Sequence, residues 1–343
     1  VGHAEGRIAL EQLREVEDQA ILGALEMQRQ AGMEVFTDGE FRRRSFYSGP
    51  TEWLDGFVRS TEPRVLEWFG PGGGQFPSLS NVVAGRLGHT RFTAHEAAFL
   101  REHAPGPFKV TMPSPSQLFT GSFQEGVTDQ FYATPAELLD DLAQIVRSEI
   151  GATIQDGAGY VQLDSPNLSD YLDEAGRQRL IDSGVDVEQE LDRLIQADNL
   201  ALEGARGAGA ITGFHICRGN SRSRWQKEGG YEPVAEKLFG SLAVDRLLLE
   251  YDTDRAGGFE PLRFVRGDTV VVLGLVSSKV PHLERKEELL RRIEEASRYV
   301  PLERLALSPQ CGFASTERGN LLSPDDQRRK LELVAETARV VWG

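Results

Sequence analysis

From residue 108 onward the chain alternates short apolar runs with amphipathic helical stretches, and this restricts the fold more than any other feature of the sequence. Strands are expected at residues 108–112, 160–163, 210–216, 246–251, 269–276 and 304–307. Helices are expected at 135–150, 187–207, 233–239, 283–299 and 324–341. Such alternation implies a parallel sheet covered by helices. Upstream, Leu10, Leu13, Val16, Ala20, Leu22, Leu25 and Met27 recur near helical spacing, predicting a helix over residues 8–32 with Gly32 as its stop. The apolar run at 34–36 then reads as the first of seven parallel-type strands. An eight-stranded barrel needs one strand more, before that helix. The expected fold is therefore an α/β, TIM-like (β/α)8 barrel whose first strand is missing ahead of Val1. A doubly wound open sheet is the alternative, but no G-x-G-x-x-G follows a strand. Residues 47–79, rich in Gly, Pro and aromatics, read as a long loop, and 82–87 as a strand or one arm of a hairpin. No repeat or Gly/Ser linker divides the chain, so residues 1–343 are expected to form one barrel.

The chain carries 38 basic and 53 acidic residues, a formal net charge of −15. That balance argues against nonspecific binding to nucleic acid or to an anionic membrane. No apolar run reaches the roughly 18 residues of a membrane-spanning helix, and no signal peptide is visible. Only two cysteines occur, Cys217 and Cys311, too few for a secreted disulfide framework. A reducing cytoplasm is the expected location.

Barrel enzymes place their chemistry at the C-terminal ends of strands. The sharpest set of residues there is His215-Ile216-Cys217, then Glu250, then Cys311 in Ser308-Pro309-Gln310-Cys311-Gly312. His215 and Cys217, two apart, point the same way because side chains alternate along a strand. Nitrogen, carboxylate and thiolate donors suit tetrahedral Zn2+. Two thiolates and a carboxylate make the site net negative, which keeps a substrate sulfur electron-rich and favours a thiolate nucleophile over hydrolysis. The competing readings are two inert core thiols with a satisfied histidine, or a disulfide. Glu40 and Asp164 form a second set, able to bind an ammonium group or to act as acid and base; alternatively Glu40 pairs with Arg42, Arg43 or Arg44, and Asp164 caps a turn. A third feature is Arg218, Arg222 and Arg224 in one loop after the metal set. These suit a carboxylate, sulfonate or phosphate, or simply a solvated surface. Gly229-Gly230 would let the loop move as a lid.

These residues give the chain a resemblance to the C-terminal catalytic barrel of cobalamin-independent methionine synthase and its single-barrel relatives. It extends from the first helix through Phe36-Thr37-Asp38-Gly39-Glu40-Phe41, Val161-Gln162-Leu163-Asp164-Ser165-Pro166 and Gly213-Phe214-His215-Ile216-Cys217 to Pro301-Leu302-Glu303-Arg304 and Ser308-Pro309-Gln310-Cys311-Gly312. The resemblance implies that His215, Cys217, Glu250 and Cys311 are zinc ligands, that Glu40 and Asp164 hold the amino group of homocysteine, and that the product is methionine. The family's Gly-Ser-Phe-Pro-like turn in its first strand is absent here. The histidine that its members carry after the seventh strand is also absent. The stretch reads Gly274-Leu275-Val276-Ser277-Ser278-Lys279-Val280-Pro281, leaving Lys279 as the nearest proton donor. The family's Asp-Glu-Pro is Asp164-Ser165-Pro166, and no pterin-stacking tryptophan follows Thr111-Met112-Pro113-Ser114. The resemblance thus favours methyl transfer to a homocysteine-like thiol from a folate or corrinoid donor. An epoxyalkane:coenzyme M transferase-type alkylation is the second reading, for which the arginine loop suits a sulfonate. A zinc hydrolase or decarboxylase and a non-catalytic zinc barrel rank below both.

Overall fold

The computed structural model describes residues 6–46 and 50–343. Helix α1 (Leu10–Ala31) stops at Gly32, whose φ of 83° is the left-handed conformation a glycine adopts without a Cβ penalty. A two-stranded hairpin follows, β1 (Leu54–Trp68) and β2 (Gly74–His89), and then α2 (Ala94–His103). The body of the chain is a strand–helix series: β3 (Lys109–Pro113), α3 (Pro115–Phe119), α4 (Pro135–Gln155), β4 (Tyr160–Asp164), α5 (Glu174–Asp182), α6 (Val187–Leu202), β5 (Ile211–Ile216), α7 (Glu232–Ser241), β6 (Arg246–Glu250), β7 (Val270–Val276), α8 (Lys286–Ala296), β8 (Leu305–Pro309) and α9 (Pro324–Trp342). The six strands β3 to β8 pair in parallel, in sequence order. That is the strand order of a TIM-like barrel.

Caps written in the sequence start the helices. Thr134 accepts from the Glu137 amide ahead of α4, with Pro135 in the first turn. Ser323 and Asp326 form a reciprocal capping box on α9. One face of each strand is apolar: Val110, Met112, Val161, Leu163, Phe214, Ile216, Leu247, Leu249, Val271 and Leu273 are all buried in one continuous core. The intervening positions of these strands face the barrel interior and are largely polar: Lys109 and Thr111 on β3, Gln162 and Asp164 on β4, His215 on β5, Glu250 on β6. Parallel register lines up their C-terminal ends, pairing Asp164 with His215 and Glu250 with Gly274.

Two expectations are corrected. The stretch 47–79 is not a long loop. Tyr47, Ser48 and Gly49 lie outside the described residues, but residues 54–89 form the hairpin, so the strand at 82–87 is the end of its second arm. Most positions of β1 are exposed or half-buried on both faces, so no alternation marks it in the sequence. The run 34–36 is not a full strand. It contributes one parallel bridge, Phe36 to Phe108, with the Lys109 amide donating to Phe36 O at 2.8 Å. Lesser departures are α2, α3 and α5, which the sequence reading did not include, and α6, which ends at Leu202 instead of near 207.

Gly274 shows how tightly the interior is closed around the strand ends. A Cβ there would lie 2.8 Å from Leu249 O and 2.9 Å from Gln310 Cα, both backbone atoms. Gly274→Ala is expected to cost about 1–3 kcal/mol by overpacking, seen as a lowered urea midpoint with an unchanged m-value.

Candidate active site at the C-terminal end of the barrel

His215 Nε2 or Nδ1, Cys217 Sγ and Cys311 Sγ lie within 4.8 Å of one another, close enough to hold a metal ion. His215 Nδ1 lies 3.3 Å from Leu248 O, which orients the ring. Its Nε2 is buried without a hydrogen-bond partner. Both cysteines are free thiols, so the disulfide alternative does not hold. The hydrogen bond to Cys311, burial and the nearby Glu250 charge push the Cys217 thiol well above the ordinary range. Cys311 falls well below it, chiefly through the hydrogen bond from Cys217 and then the His215 imidazole. The three side chains thus place one imidazole nitrogen and two sulfurs, all metal-ligating atoms, around one point.

Glu250 sits apart from that three-atom cluster. Its carboxylate is fully buried and every oxygen is engaged. Oε2 accepts from the Arg218 amide at 2.8 Å and from Gln310 Nε2 at 3.2 Å. Oε1 pairs with Arg255 at 2.7 Å and lies 3.7 Å from Lys279 Nζ. Lys279 is itself buried, and its Nζ has no hydrogen-bond partner. Arg255 escaped the sequence reading. Its only sequence signal was its position in the loop just beyond the end of β6.

Glu40 and Asp164 lie near each other, and Asp164 is the register neighbour of His215. Glu40, at a φ of 56°, is held by the Asp38 carboxylate accepting from its amide at 3.0 Å. Its own carboxylate accepts from Thr111 Oγ1 and lies 3.4 Å from Arg43. Of the arginines weighed as partners for Glu40, Arg42 bonds Asp18 on α1 and Arg44 pairs with Glu317. Arg43 is committed mainly to a buried bidentate pair with Glu96 and to Thr111 O. Burial, with Asp164 and Asp38 nearby, raises the Glu40 pKa to about 7 despite Arg43. Asp164 accepts from Gln162 Nε2 at 2.7 Å, and burial raises its pKa as well. Lys109, which the sequence reading passed over, lies below this pair. Its Nζ donates to Gln162 Oε1 at 2.9 Å, and burial lowers its pKa against the pull of Asp164 and Glu40.

The three loop arginines do not converge. Arg218 points inward and is fully buried, donating to Gly229 O, Tyr231 Oη and Glu250 O. Arg224 is packed against the Trp68 and Phe76 rings of the hairpin. Arg222 is exposed. The hairpin tip closes on this loop: Phe69 and Trp225 exchange backbone hydrogen bonds of 2.8 and 3.1 Å.

Residues 2–323 match the catalytic domain of the cobalamin-independent synthases. The chain belongs to this family. Among its relatives is the uncharacterised protein YxjH of Bacillus subtilis, 42% identical over 345 residues, covering 99% of this chain and 89% of that one. The methionine synthase of Saccharolobus islandicus is 25% identical over 340 residues, covering 99% of this chain and 88% of that one. A solved B12-independent methionine synthase from a Shewanella species, in complex with selenomethionine, shares the fold with a TM-score of 0.73 at 22% identity, covering 98% of this chain and 90% of that one. No helix among the described residues is long and apolar enough to cross a membrane.

Arg218→Ala is expected to act on stability. It would leave buried acceptors on Gly229, Tyr231 and Glu250 without their donor, a loss of about 3 kcal/mol or more in urea unfolding.

Proposed function

We propose that this chain is a methyltransferase that moves a methyl group onto the sulfur of homocysteine, forming methionine, in the cytoplasm and as one barrel spanning the chain. The observation that carries this reading is the His215–Cys217–Cys311 donor cluster set beside the Asp164 carboxylate. The family membership agrees with it, and the relative from Saccharolobus bears that activity in its name.

The donors fit zinc. A buried imidazole nitrogen without a hydrogen-bond partner and two free thiols within 4.8 Å of one another are a soft donor set. His215, Cys217 and Cys311 would hold the ion, and Glu250, outside that cluster, would join as a fourth ligand by giving up one of its contacts to Arg218, Gln310, Arg255 or Lys279. When bound, zinc lowers the pKa of a substrate thiol so that it is a nucleophile at neutral pH.

The remaining work falls to the chain's own side chains. Glu40 and Asp164 grip the substrate ammonium, with Thr111 orienting Glu40. Carboxylates withdrawn partly or wholly from water bind a cation more strongly than solvated ones do. The methyl carbon leaves a folate nitrogen or a corrinoid cobalt and bonds to sulfur. In the folate case Lys279 supplies the proton that the departing nitrogen takes up. Its buried Nζ, without a hydrogen-bond partner and 3.7 Å from Glu250, supports that role.

Two measurements test this. Cys217→Ala and Cys311→Ala should each reduce bound zinc from about one ion per chain to near none and abolish methionine formation; full turnover in metal-stripped protein would remove the reading. For Glu40, ionisation near pH 7 means that the ammonium grip is strongest above that pH and weakens below it. The kcat/KM for homocysteine should therefore fall as pH drops through about 7, and Glu40→Gln should flatten this limb while raising KM. An unchanged profile in Glu40→Gln would take Glu40 out of the substrate site.

A further inference from the structure

Arg222 and Ser223 are consecutive non-glycine residues at φ of 51° and 64°. They are the central pair of a tight hairpin turn in which Ser221 and Arg224 exchange backbone hydrogen bonds of 3.3 and 3.1 Å. A turn with positive φ at both central positions strongly prefers Asn-Gly or Gly-Gly, because side chains there are strained. Strain of this kind persists where the surroundings hold it, and it gathers at ligand clamps. Here the surroundings do hold it. The Ser223 amide donates to Asn320 Oδ1 at 2.9 Å, and Ser223 Oγ accepts from the Leu321 amide at 2.8 Å. Asn320 also donates to Asn220 Oδ1, and Asn220 Nδ2 to Gly312 O. These bonds stitch the loop after Cys217 to the loop after Cys311 and bring Arg318 beside the turn.

The effect is to gather three cations. Arg222 and Arg318 are exposed, and both lie near enough to Arg224 to lower its pKa, after burial. Arg224 donates only to carbonyls, Ser221 O at 3.1 Å and Gly72 O at 3.4 Å. None of the three forms an ion pair with a carboxylate among the described residues, although the chain carries 53 acidic residues. Like charges gathered without carboxylate partners repel one another, so an anion seated among them would be favoured.

We propose that Arg222, Arg224 and Arg318 form an anion-binding site at the barrel mouth for a multiply charged carboxylate or phosphate group. Arg222 and Arg318 contact it directly, and Arg224, wedged on Trp68 and Phe76, supplies charge from beneath. The site departs from the arginine set expected from the sequence by losing Arg218 and gaining Arg318. Resting on the methyltransferase reading, the ligand is the anionic portion of the methyl donor, because the amino-acid thiol is already held at Glu40 and Asp164.

The test is isothermal titration of the zinc-loaded protein with benzene-1,3,5-tricarboxylate and with pyrophosphate, using acetate as the singly charged control. The site predicts binding of the multivalent anions that weakens with added salt. It also predicts an affinity loss of about tenfold in Arg222→Gln and in Arg318→Gln, from the loss of one charge-assisted contact each. Heat from metal chelation would be common to all variants. Tighter binding of the tricarboxylate points to a carboxylate-bearing donor, and tighter pyrophosphate binding to a phosphate-bearing one. Arg222→Gly separates ligand binding from folding: it relieves the turn, so the melting temperature should rise while anion affinity falls. Absent binding, or affinities unchanged in the variants, would overturn the site. Anion binding that is lost in the variants, in a protein that does not methylate homocysteine, would keep the site and remove the methyltransferase reading.

Discussion

A carboxylate with no access to solvent lies at the centre of this molecule. Glu250 is fully buried, and a lone buried carboxylate would cost several kcal/mol or change its protonation. Its charge is compensated from four directions: the Arg218 amide after β5, Gln310 after β8, Arg255 from the loop after β6 and Lys279 from the loop after β7. One charge therefore ties together the loops that leave four successive strands. The same loops carry Cys217 and Cys311, so the position of the donor cluster depends on how Glu250 is satisfied.

The clasp extends outward. The Arg255 guanidinium lies over the Trp225 ring, 4.5 Å from its centroid, and Trp225 is bonded through its backbone to the hairpin tip at Phe69. Gly70 fits beneath that indole because it has no side chain; a Cβ there would lie 2.5 Å from Trp225 Cζ3. A continuous path of contacts runs from the exposed hairpin to the buried acid. A second clasp does similar work. Arg43 bonds Glu96 and Thr111, and Thr111 in turn fixes Glu40.

Much of this was legible in the sequence because strand geometry is simple. Period-two alternation and strand-end placement were enough to select His215, Cys217, Cys311 and Asp164, and the structure brings His215, Cys217 and Cys311 together with Asp164 as the register neighbour of His215. The same logic selected Glu250, but could not show that its oxygens are taken up by Arg255, Lys279, Gln310 and a backbone amide. The hairpin was illegible because its exposed faces need no apolar alternation. Arg218 was misread for a related reason. In a linear string, three arginines within seven positions look alike, whereas Arg218 is held inward by Gly229, Tyr231 and Glu250 and Arg222, at a backbone reversal, is left in solvent.

What the sequence by itself determined is local. It wrote which runs form strands and helices, where helices stop, and which face of each strand is apolar, because propensity, capping and periodicity act between residues close in the chain. What only the tertiary structure decided is the pairing of polar and charged groups distant in sequence: Arg43 with Glu96, Glu250 with Gln310, Ser223 with Asn320, and Arg318 with the turn at Arg222. Those partners come from different loops of a parallel, barrel-type sheet. Their selection follows from register and from the cost of burying an unpaired charge, neither of which leaves a signal along the chain.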